Sequence, residues 1–377
     1  MFAGSDNRVA VVASAQTRLK QNWGNRQHVD LISEAVVAAL KGSGLRIEDI
    51  DFVIDSGSDV LDGRSISNCG FLGAMGAHHK EESRVEEDGL WAALYGATKI
   101  GSGSAEAGLL IAYSKPSESD VSAYWWSQVE PFYQRPVGFG QEAAGGLQAQ
   151  SYLAEHGLSN DIFADVVAAE WAKAAANPWV EADEAPDAAA VKDSPAVAAP
   201  LRRLEMARPL DGAVAVVIAS ARVAERVTPK PVWITGIGTA MDQHSFVRRE
   251  RASLPAAKVA ADTAYRRAGI EDPTRLSIAE VSASSAATQL MVLEALGLAS
   301  AGGAAELYSG GSDVAINPSG GALPADPIMA TGLMRMHEAA GQLAGRVDHA
   351  PDGATTAVVH GAGGVGMQNH CVFTLEV

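Results

Sequence analysis

The sequence predicts an α/β fold built from two similar halves, and three observations support this prediction. The segment Ala39–Leu45 returns in related form as Ala264–Ile270. An alanine-rich segment with helical spacing precedes each copy, and an acidic stretch followed by an apolar run comes after each copy. A repeat of this size indicates a duplicated α/β unit, packed as two similar domains about a pseudo-twofold axis.

The first half begins with the pattern of a strand, a helix and a second strand. Val9–Ala13 is a short apolar run. Leu31–Leu40 carries apolar residues at helical spacing, and Gly42 and Gly44 end this pattern. Ile50–Ile54 is a second apolar run with acidic flanks. This order predicts a βαβ-like start.

The second half repeats this order. Val232–Gly238 mirrors the first strand, and Ser277–Val281 mirrors the second. We therefore divide the chain into an N-terminal half, residues 1–228, and a C-terminal half, residues 229–377. Each half is long enough to form a domain-sized unit with its own core.

An insertion interrupts the first half at about residues 115–205. It contains several tryptophans and prolines, and Glu181–Pro200 is rich in Ala, Pro and Asp. This composition predicts an inserted loop domain, mostly helical and loop-rich, before the chain returns to a strand at Ala213–Ala219. Insertions of this kind commonly cover a substrate site.

The composition narrows the class of protein and its location. The net charge is −16, which disfavours binding to nucleic acid or to an anionic membrane surface. No apolar run reaches the length of a signal peptide or a membrane helix, and the two cysteines fit a reducing compartment. We expect a cytoplasmic protein. Two local basic clusters, Arg202–Arg203 and Arg248–Arg251, are either solvated surface or a patch for an anionic cofactor such as CoA.

Four motifs carry a resemblance to a known family. They are the turn and strand Arg208–Ala213, the segment Asn317–Leu323, its continuation through Pro327 and Ala330–Gly332, and the glycine-rich loop Gly361–Gly366. These motifs resemble those of the thiolase superfamily over nearly the whole chain. The resemblance implies a layered αβαβα thiolase fold, a CoA thioester as substrate or ligand, no covalently bound cofactor, and pairing of two thiolase-like chains. It also implies that Gly108–Tyr113 is the candidate edge strand for such pairing.

Glycines in two of these motifs are candidate ligand-binding residues. Gly allows positive φ and close approach of a ligand, and exposed N–H groups on such turns can stabilise a developing oxyanion. Tight turns required by packing alone are the other interpretation. The candidate ligand-binding residues are Ser319, Gly320, Gly321, Gly361, Gly363 and Gly364.

The positions that carry thiolase chemistry hold other residues here. By the resemblance, Glu86 stands at the position of the nucleophilic cysteine and Asp326 at that of the activating histidine. Ser282–Ser285 replaces the polar box, and Gly361 replaces the C-terminal cysteine, with His360 beside it. A carboxylate cannot form a thioester, although burial could make it a base. Glu86 is otherwise an acid favoured at a helix start, here the predicted helix Gly89–Ile100.

Candidate catalytic residues are therefore His360, Asp326 and Glu86. His360 has acid–base capacity near neutral pH, or it is a strand-end histidine satisfied by backbone groups. Cys69 and Cys371 lie away from the nucleophile position and are interpreted as small apolar residues. No Cys/His cluster has metal-ligand spacing, so no metal site is predicted.

Within the superfamily, the chain is most similar to the sterol-carrier-x and lipid-transfer-protein branch, of the bacterial steroid side-chain degradation type. Glu82–Trp91 and the ending Gln368–Val372 carry this similarity. The branch includes retro-aldol lyases that use tyrosines instead of cysteine, and paired subunits of which one is competent and one degenerate. Many members work beside a small OB-fold acyl-CoA-associated protein. We therefore expect a homo- or heterodimer with a thiolase-like chain, with such an OB-fold protein as a further partner.

Three functions remain open from the sequence. The first is a subunit that supports an active thiolase-like partner in breaking or forming a C–C bond on an acyl-CoA, since four catalytic positions are replaced together. The second is a Cys-independent retro-aldolase or acyltransferase that uses His360, Asp326, Glu86 or a tyrosine from the insertion. The third is acyl-CoA or lipid binding without chemistry.

Overall fold

The computed structural model describes residues 8–310 and 312–377, which form strands joined by helices. The strands are β1 (Val9–Gln16), β2 (Phe52–Ser56), β3 (Glu81–Val85), β4 (Ala107–Ser114), β5 (Ala196–Ala198), β6 (Leu201–Arg202), β7 (Gly212–Ser220), β8 (Val232–Met241), β9 (Ile278–Val281), β10 (Ala315–Ile316), β11 (Thr356–Gly363) and β12 (Asn369–Glu376).

The α-helices alternate with these strands. They are α1 (His28–Ser43), α2 (Asp59–Asp62), α3 (Leu72–Met75), α4 (Gly89–Gly101), α5 (Val121–Ser127), α6 (Gln141–His156), α7 (Asp161–Ala176), α8 (Ala188–Asp193), α9 (Ala221–Val227), α10 (Pro255–Ala268), α11 (Ala286–Ala295) and α12 (Thr331–Ala344). Local sequence explains several of the ends: α1 ends at Gly44 and α10 at Gly269, both with positive φ, which glycine adopts without a Cβ clash. These helix ends belong to the repeated segment recognised in the sequence.

One large sheet joins the two halves. Its strand order is β10-β9-β11-β12-β8-β1-β7-β4-β2-β3. Outward from the centre, the first half contributes β1, β7, β4, β2 and β3, and the second half contributes the corresponding strands β8, β12, β11, β9 and β10. The two halves meet where β1 pairs with β8. The two similar halves predicted from the repeat are confirmed.

Helices form layers around this sheet. The helices α1 and α10 pack on the outer sides, against β1 and β8 respectively. The helices α4 and α12 pack against each other and against strands of both halves, so they form the inner helical layer. Gly96 and Gly108 allow close packing in this core, since a Cβ at either position would overlap a buried apolar side chain.

The insertion lies between β4 and β7. It contains α5, α6, α7, α8 and the small β5–β6 pair. Its helices α6 and α7 pack against α11 of the second half, which brings the insertion over the C-terminal part of the sheet.

The prediction that Gly108–Tyr113 forms the edge of the sheet is wrong. β4, which contains Gly108–Tyr113, is paired with β2 on one side and β7 on the other. Within the described residues, the sheet ends at β3 and at the two-residue β10. The apolar run of β4 is that of a strand buried on both faces, whereas Glu81–Val85 has the charged pattern typical of an edge.

Over residues 8–310 and 312–377, no helix combines the length and the apolar character needed to span a membrane.

Candidate functional site

The two inner helices begin next to each other, and Asp88 joins their N-termini. Its Oδ1 accepts a hydrogen bond from the backbone N–H of Leu90 at 3.0 Å, at the start of α4. Its Oδ2 accepts one from the N–H of Gly332 at 2.7 Å, at the start of α12. Burial raises the pKa of Asp88 to about 8, although these two hydrogen bonds favour the ionised form and act in the opposite direction.

The neighbouring acids Glu86 and Glu87 point in different directions. Glu86 is largely exposed and contacts Arg84 Nε at 3.2 Å. Glu87 turns inward and accepts a hydrogen bond from Asn369 Nδ2 at 2.7 Å. Burial raises the pKa of Glu87. By the resemblance, Glu86 is the acid at the nucleophile position. The structure instead turns the adjacent Glu87 toward the centre of the site, and the sequence did not indicate this residue.

Asp326 is held by backbone pairing just before α12. Its N–H donates to Arg208 O at 2.9 Å, and its C=O accepts from the N–H of Leu210 at 3.1 Å. The Thr331 hydroxyl donates to its Oδ1 at 2.5 Å. Burial raises the pKa of Asp326 to about 6. Within the described residues, no Lys, Arg or His lies within ion-pairing distance of this carboxylate.

Three cavities surround these acids. The outer cavity, of about 590 Å³, opens between the insertion and the second half. It is lined by Val121, Ser122, Trp125, Trp126, Gly138, Gly140, Gln141, Glu142, Ala143, Val197, Ala198, Arg203, Met206, Ala207, Pro209, Ser284, Asp326 and Ile328.

The junction cavity, of about 40 Å³, lies behind the outer one and shares Asp326 with it. It is lined by Trp125, Gln141, Ser282, Ala283, Ser284, Asp326, Ile328, Thr331, Ala362, Gly363, Gly364 and Met367. The junction lining thus brings together three features that the resemblance singled out: the serine segment at Ser282 and Ser284, Asp326, and the loop glycines Gly363 and Gly364. The hydroxyl of Ser282 is buried here and has no hydrogen-bond partner among the described residues.

The rear cavity, of about 350 Å³, lies on the other side of Gly364. It is lined by Ser58, Val60, Glu86, Glu87, Tyr124, Ser127, Gln128, Met329, Gly364, Gln368 and Asn369. Tyr124 is one of the tyrosines of the insertion, which the sequence indicated only as a group. Burial raises the pKa of Tyr124 above its usual range, and its hydroxyl contacts Met329 Sδ at 3.2 Å.

The glycine-rich loop makes room for the two inward acids. A Cβ at Gly361 would come within 2.5 Å of Asp88 Oδ1, and one at Gly363 within 1.8 Å of Glu87 Oε1. Gly364 has a φ of 75° and lines both the junction and the rear cavity. Gly363 and Gly364 therefore line these cavities, while Gly361 lies beneath the loop against Asp88.

The turn at Ser319, Gly320 and Gly321 lies elsewhere. None of the three lines the outer, junction or rear cavity. Gly320 and Gly321 have φ values of 98° and 69°, and a Cβ on Gly320 would overlap Ala174 of α7. The Ser319 hydroxyl contacts Glu280 and Arg335 in the buried interior. The structure therefore separates this candidate ligand turn from the Asp326 site.

His360 also lies apart from the cavities. It is fully buried on β11, and its Nε2 lies 3.0 Å from Nδ1 of His370, which is equally buried. Burial lowers the pKa of His360 to about 4, so the imidazole is neutral at physiological pH. None of the three cavities has His360 in its lining.

The two basic clusters predicted from the sequence also differ in whether they reach a cavity. Arg203 lines the outer cavity and pairs with Glu142 at 3.0 Å. Arg249 is buried and donates to three backbone carbonyls, including Val365 O at 2.7 Å, so it supports the glycine-rich loop. Within the part of the chain described, no three His, Cys, Asp or Glu side chains converge as metal ligands.

Comparisons with known proteins place this geometry in context. Residues 238–376 match the family described as "Thiolase C-terminal domain-like". An acetyl-CoA acetyltransferase of Methanocaldococcus jannaschii is 27% identical over 354 residues, covering 89% of each chain. A steroid side-chain-cleaving aldolase of Thermomonospora curvata is 24% identical, covering 80% of this chain and 81% of its own.

Solved structures agree with the sequence relatives. The Ltp2-ChsH2(DUF35) aldolase superposes with a TM-score of 0.83 at 21% identity, covering 99% of both chains. Human mitochondrial 3-ketoacyl-CoA thiolase superposes with a TM-score of 0.72 at 18% identity, covering 98% of both chains. The predicted thiolase fold is confirmed.

Proposed function

Because the chain has the thiolase fold and is related to the lipid-transfer-protein branch of that superfamily, we propose that it cleaves a C–C bond of a CoA thioester by retro-aldol chemistry. Asp326 is the base. The observation that carries this proposal is its carboxylate, which has no cationic partner among the described residues and lies where the outer and junction cavities meet. Its pKa of about 6 leaves it ionised at neutral pH and close to the value that suits a general base.

The reaction balances with these residues alone. Asp326 takes the proton of a β-hydroxyl group on the substrate. The Cα–Cβ bond breaks, the β-carbon becomes a carbonyl carbon, and the bonding pair forms a thioester enolate. Asp326 returns the proton to the enolate carbon, which gives the shortened thioester. The N–H groups of the loop at Gly363 and Gly364 are suited to stabilising the enolate oxygen.

A covalent thiolase mechanism has less support. Neither cysteine lines any of the three cavities. Cys69 is exposed, and Cys371 is buried with its Sγ 3.9 Å from Leu90 O. Burial raises the pKa of the Cys371 thiol well above its usual value, which disfavours the thiolate that a nucleophile requires.

A second candidate is the supporting subunit, and one observation favours it. The matched aldolase structure is a complex of two proteins, named Ltp2 and ChsH2(DUF35). By this likeness, the chain would act with a DUF35-type partner. A thiolase-like chain would pair along β3, which has an unpaired edge among the described residues.

Cleavage of a defined substrate separates these candidates. The chain, alone and with a DUF35-type protein from its own genome, would be incubated with 3-hydroxyacyl-CoA thioesters. Mass spectrometry would follow the shortened acyl-CoA. We expect Asp326→Asn to lower turnover by about 10²- to 10⁴-fold, and exposed Asp352→Asn to leave it unchanged. Turnover that needs a second thiolase-like chain and is indifferent to Asp326→Asn would instead establish the supporting role.

A further inference from the structure

The backbone around Asp326 is fixed on both sides of the residue. Its N–H donates to Arg208 O at 2.9 Å, and its C=O accepts a hydrogen bond from the N–H of Leu210 at 3.1 Å. The next residue is Pro327, and a proline restricts the backbone angles of the residue before it. The direction of the carboxylate therefore depends on the side-chain torsions χ1 and χ2, and on whatever holds them in place.

The two oxygens of the Asp326 carboxylate differ in what they contact. Oδ1 accepts a hydrogen bond from the Thr331 hydroxyl at 2.5 Å. Among the described residues, no side chain donates to Oδ2, and Oδ2 is not one of the enclosed atoms that lack a partner. Asp326 lines both the outer and the junction cavity. Oδ2 is therefore the oxygen that remains open to a ligand in these cavities.

Thr331 reaches Asp326 from a rigid position. It is the first residue of α12, with φ of −58° and ψ of −49°, and it is only 3% exposed. The N–H of the next residue, Gly332, donates to Asp88 Oδ2 at 2.7 Å, which ties this end of α12 to the start of α4. A threonine hydroxyl has a single O–H donor, and here that donor goes to Asp326 Oδ1.

We propose that Thr331 is a positioning residue for the base: its hydroxyl holds Oδ1 of Asp326, so that Oδ2 faces the cavities and takes the substrate proton. This inference rests on the proposed function and deepens it, because it assigns the proton transfer to one oxygen. Thr331 also lines the junction cavity, but its donor is already used, so it acts through the carboxylate. A hydrogen bond donated to a carboxylate favours the ionised form, which is the form that acts as a base.

Other groups act on Asp326, and a change at Thr331 leaves all of them in place. Burial raises the pKa of Asp326, whereas the Thr331 hydroxyl, the nearby N–H of Ile328 and the charge of Arg335 on α12 lower it. The further titratable or charged groups around it are Asp88 at the start of α4, Tyr124 on α5, and Glu142 and Arg203 in the lining of the outer cavity. A change in the titration of Asp326 on loss of the hydroxyl therefore reports the hydrogen bond from Thr331.

Three substitutions separate a positioning role from a structural one. Thr331→Val replaces the hydroxyl by a methyl group of similar size and keeps the branched Cβ. Thr331→Ser keeps the hydroxyl and loses the methyl group. Thr374→Val is the matched control, because Thr374 is fully buried on β12, its hydroxyl lies 2.8 Å from that of Thr235, and it lines none of the three cavities. Unchanged circular dichroism would establish that the variants fold.

Carbon-13 NMR of protein labelled at the aspartate carboxyl groups gives a readout that does not need turnover. The Asp326 signal is the one that is absent from the Asp326→Asn variant. We expect its pKa to rise by about one to two pH units in Thr331→Val, because the ionised form loses a hydrogen bond. In Thr331→Ser and Thr374→Val it should titrate as in the wild type. An unchanged pKa in Thr331→Val would overturn the inference.

The pH profile of kcat/KM for C–C cleavage gives the second readout. In Thr331→Val the rise should move to higher pH by the same interval. The plateau should fall about tenfold or more, chiefly through kcat, because the carboxylate is no longer held in one direction. Thr331→Ser should restore both. A profile that shifts while its plateau stays unchanged would mean that the hydroxyl tunes Asp326 without positioning it, which contradicts the inference.

The two proposals fail in different ways. If the wild-type protein does not cleave the substrate, the retro-aldol function and the role of Oδ2 as its base are both wrong. If the wild type cleaves the substrate and depends on Asp326, while Thr331→Val matches the wild type in NMR titration and in rate, the function stands and the role of Thr331 is wrong.

Discussion

Two groups of acids, some fully buried and some partly buried, differ in how the protein balances their charge. The junction acids are Glu87, Asp88 and Asp326, and the ion network comprises Glu170, Glu280 and Glu338 with Lys173, Arg335 and His349. In the ion network each carboxylate has a cation within 3.1 Å. The junction acids have no such partner in the described part of the chain, and burial raises the pKa of all three.

The contrast extends to the surroundings. In the ion network, the hydrogen bond from His349 and nearby positive charge lower the pKa of the buried Glu338 to about 2. Burial raises the pKa of Glu170 in the same network, although Lys173 beside it acts in the opposite direction. The network contacts the turn at Ser319, and its cations Lys173 and His349 line a separate cavity of about 500 Å³, apart from the three cavities around Asp326. Of the junction acids, Asp326 lines the outer and junction cavities, Glu87 lines the rear cavity, and Asp88 lies against Gly361 beneath the glycine-rich loop. Balanced buried charge here supports the fold, and unbalanced charge marks the site where proton transfer is feasible.

Removing the central cation of the ion network should have the largest effect on stability. Arg335→Leu leaves Glu280 buried without its partner at 2.9 Å, so we expect a loss of about 3–5 kcal/mol in the free energy of unfolding. Urea denaturation would measure it. Arg346→Leu, at an exposed position just beyond α12, should change the free energy by less than about 0.5 kcal/mol. Equal effects of the two substitutions would show that the network does not stabilise the fold.

A smaller effect should follow from adding a methyl group beneath the glycine-rich loop. Gly361→Ala places a Cβ within 2.5 Å of Asp88 Oδ1, which we expect to destabilise the protein by about 1–3 kcal/mol. The double variant with Asp88→Ala should recover part of this loss, with a coupling of about 0.5–3 kcal/mol in a double-mutant cycle. Strict additivity would mean that the two positions do not compete for space.

The sequence could predict most of the fold because its signals are local. The repeated helix ends at Gly44 and Gly269 and the apolar runs indicated the strands and helices of both halves. The edge strand was mispredicted because an apolar run such as Gly108–Tyr113 does not reveal its neighbours. Pairing on both sides is a property of the assembled sheet.

The site was harder to predict because it depends on which side chains turn inward. Adjacent acids at 86 and 87 are equivalent as sequence, and only packing against Gly363 shows that Glu87 is the one that turns inward. The same packing gives a reason for glycine at 361 and 363, since the acids occupy the space of a side chain there. His360 had evident acid–base capacity by type, but its burial beside His370 could not be read from a strand-end pattern.

The smallest effect should distinguish the two adjacent acids. Because the folded-state pKa of Glu87 is raised, its favourable contribution is present below the unfolded value of about 4.3 and is lost as pH rises through the folded value. Glu87→Gln should therefore gain stability relative to the wild type as pH rises. Thermal denaturation across this range would follow the difference. An equal gain in the Glu86→Gln variant, at the adjacent exposed position, would contradict the inward placement of Glu87.

The pH dependence of kcat/KM for C–C cleavage tests the central claim most directly. A base must be ionised to act, so the rate should rise with pH through an apparent pKa of about 6, the value of Asp326 in the free protein. In Asp326→Asn the remaining rate should be lower by about 10²- to 10⁴-fold, and the rise near pH 6 should disappear. A variant that keeps both the rate and the rise would show that another group is the base, and that unbalanced charge at the junction does not mark the catalytic site.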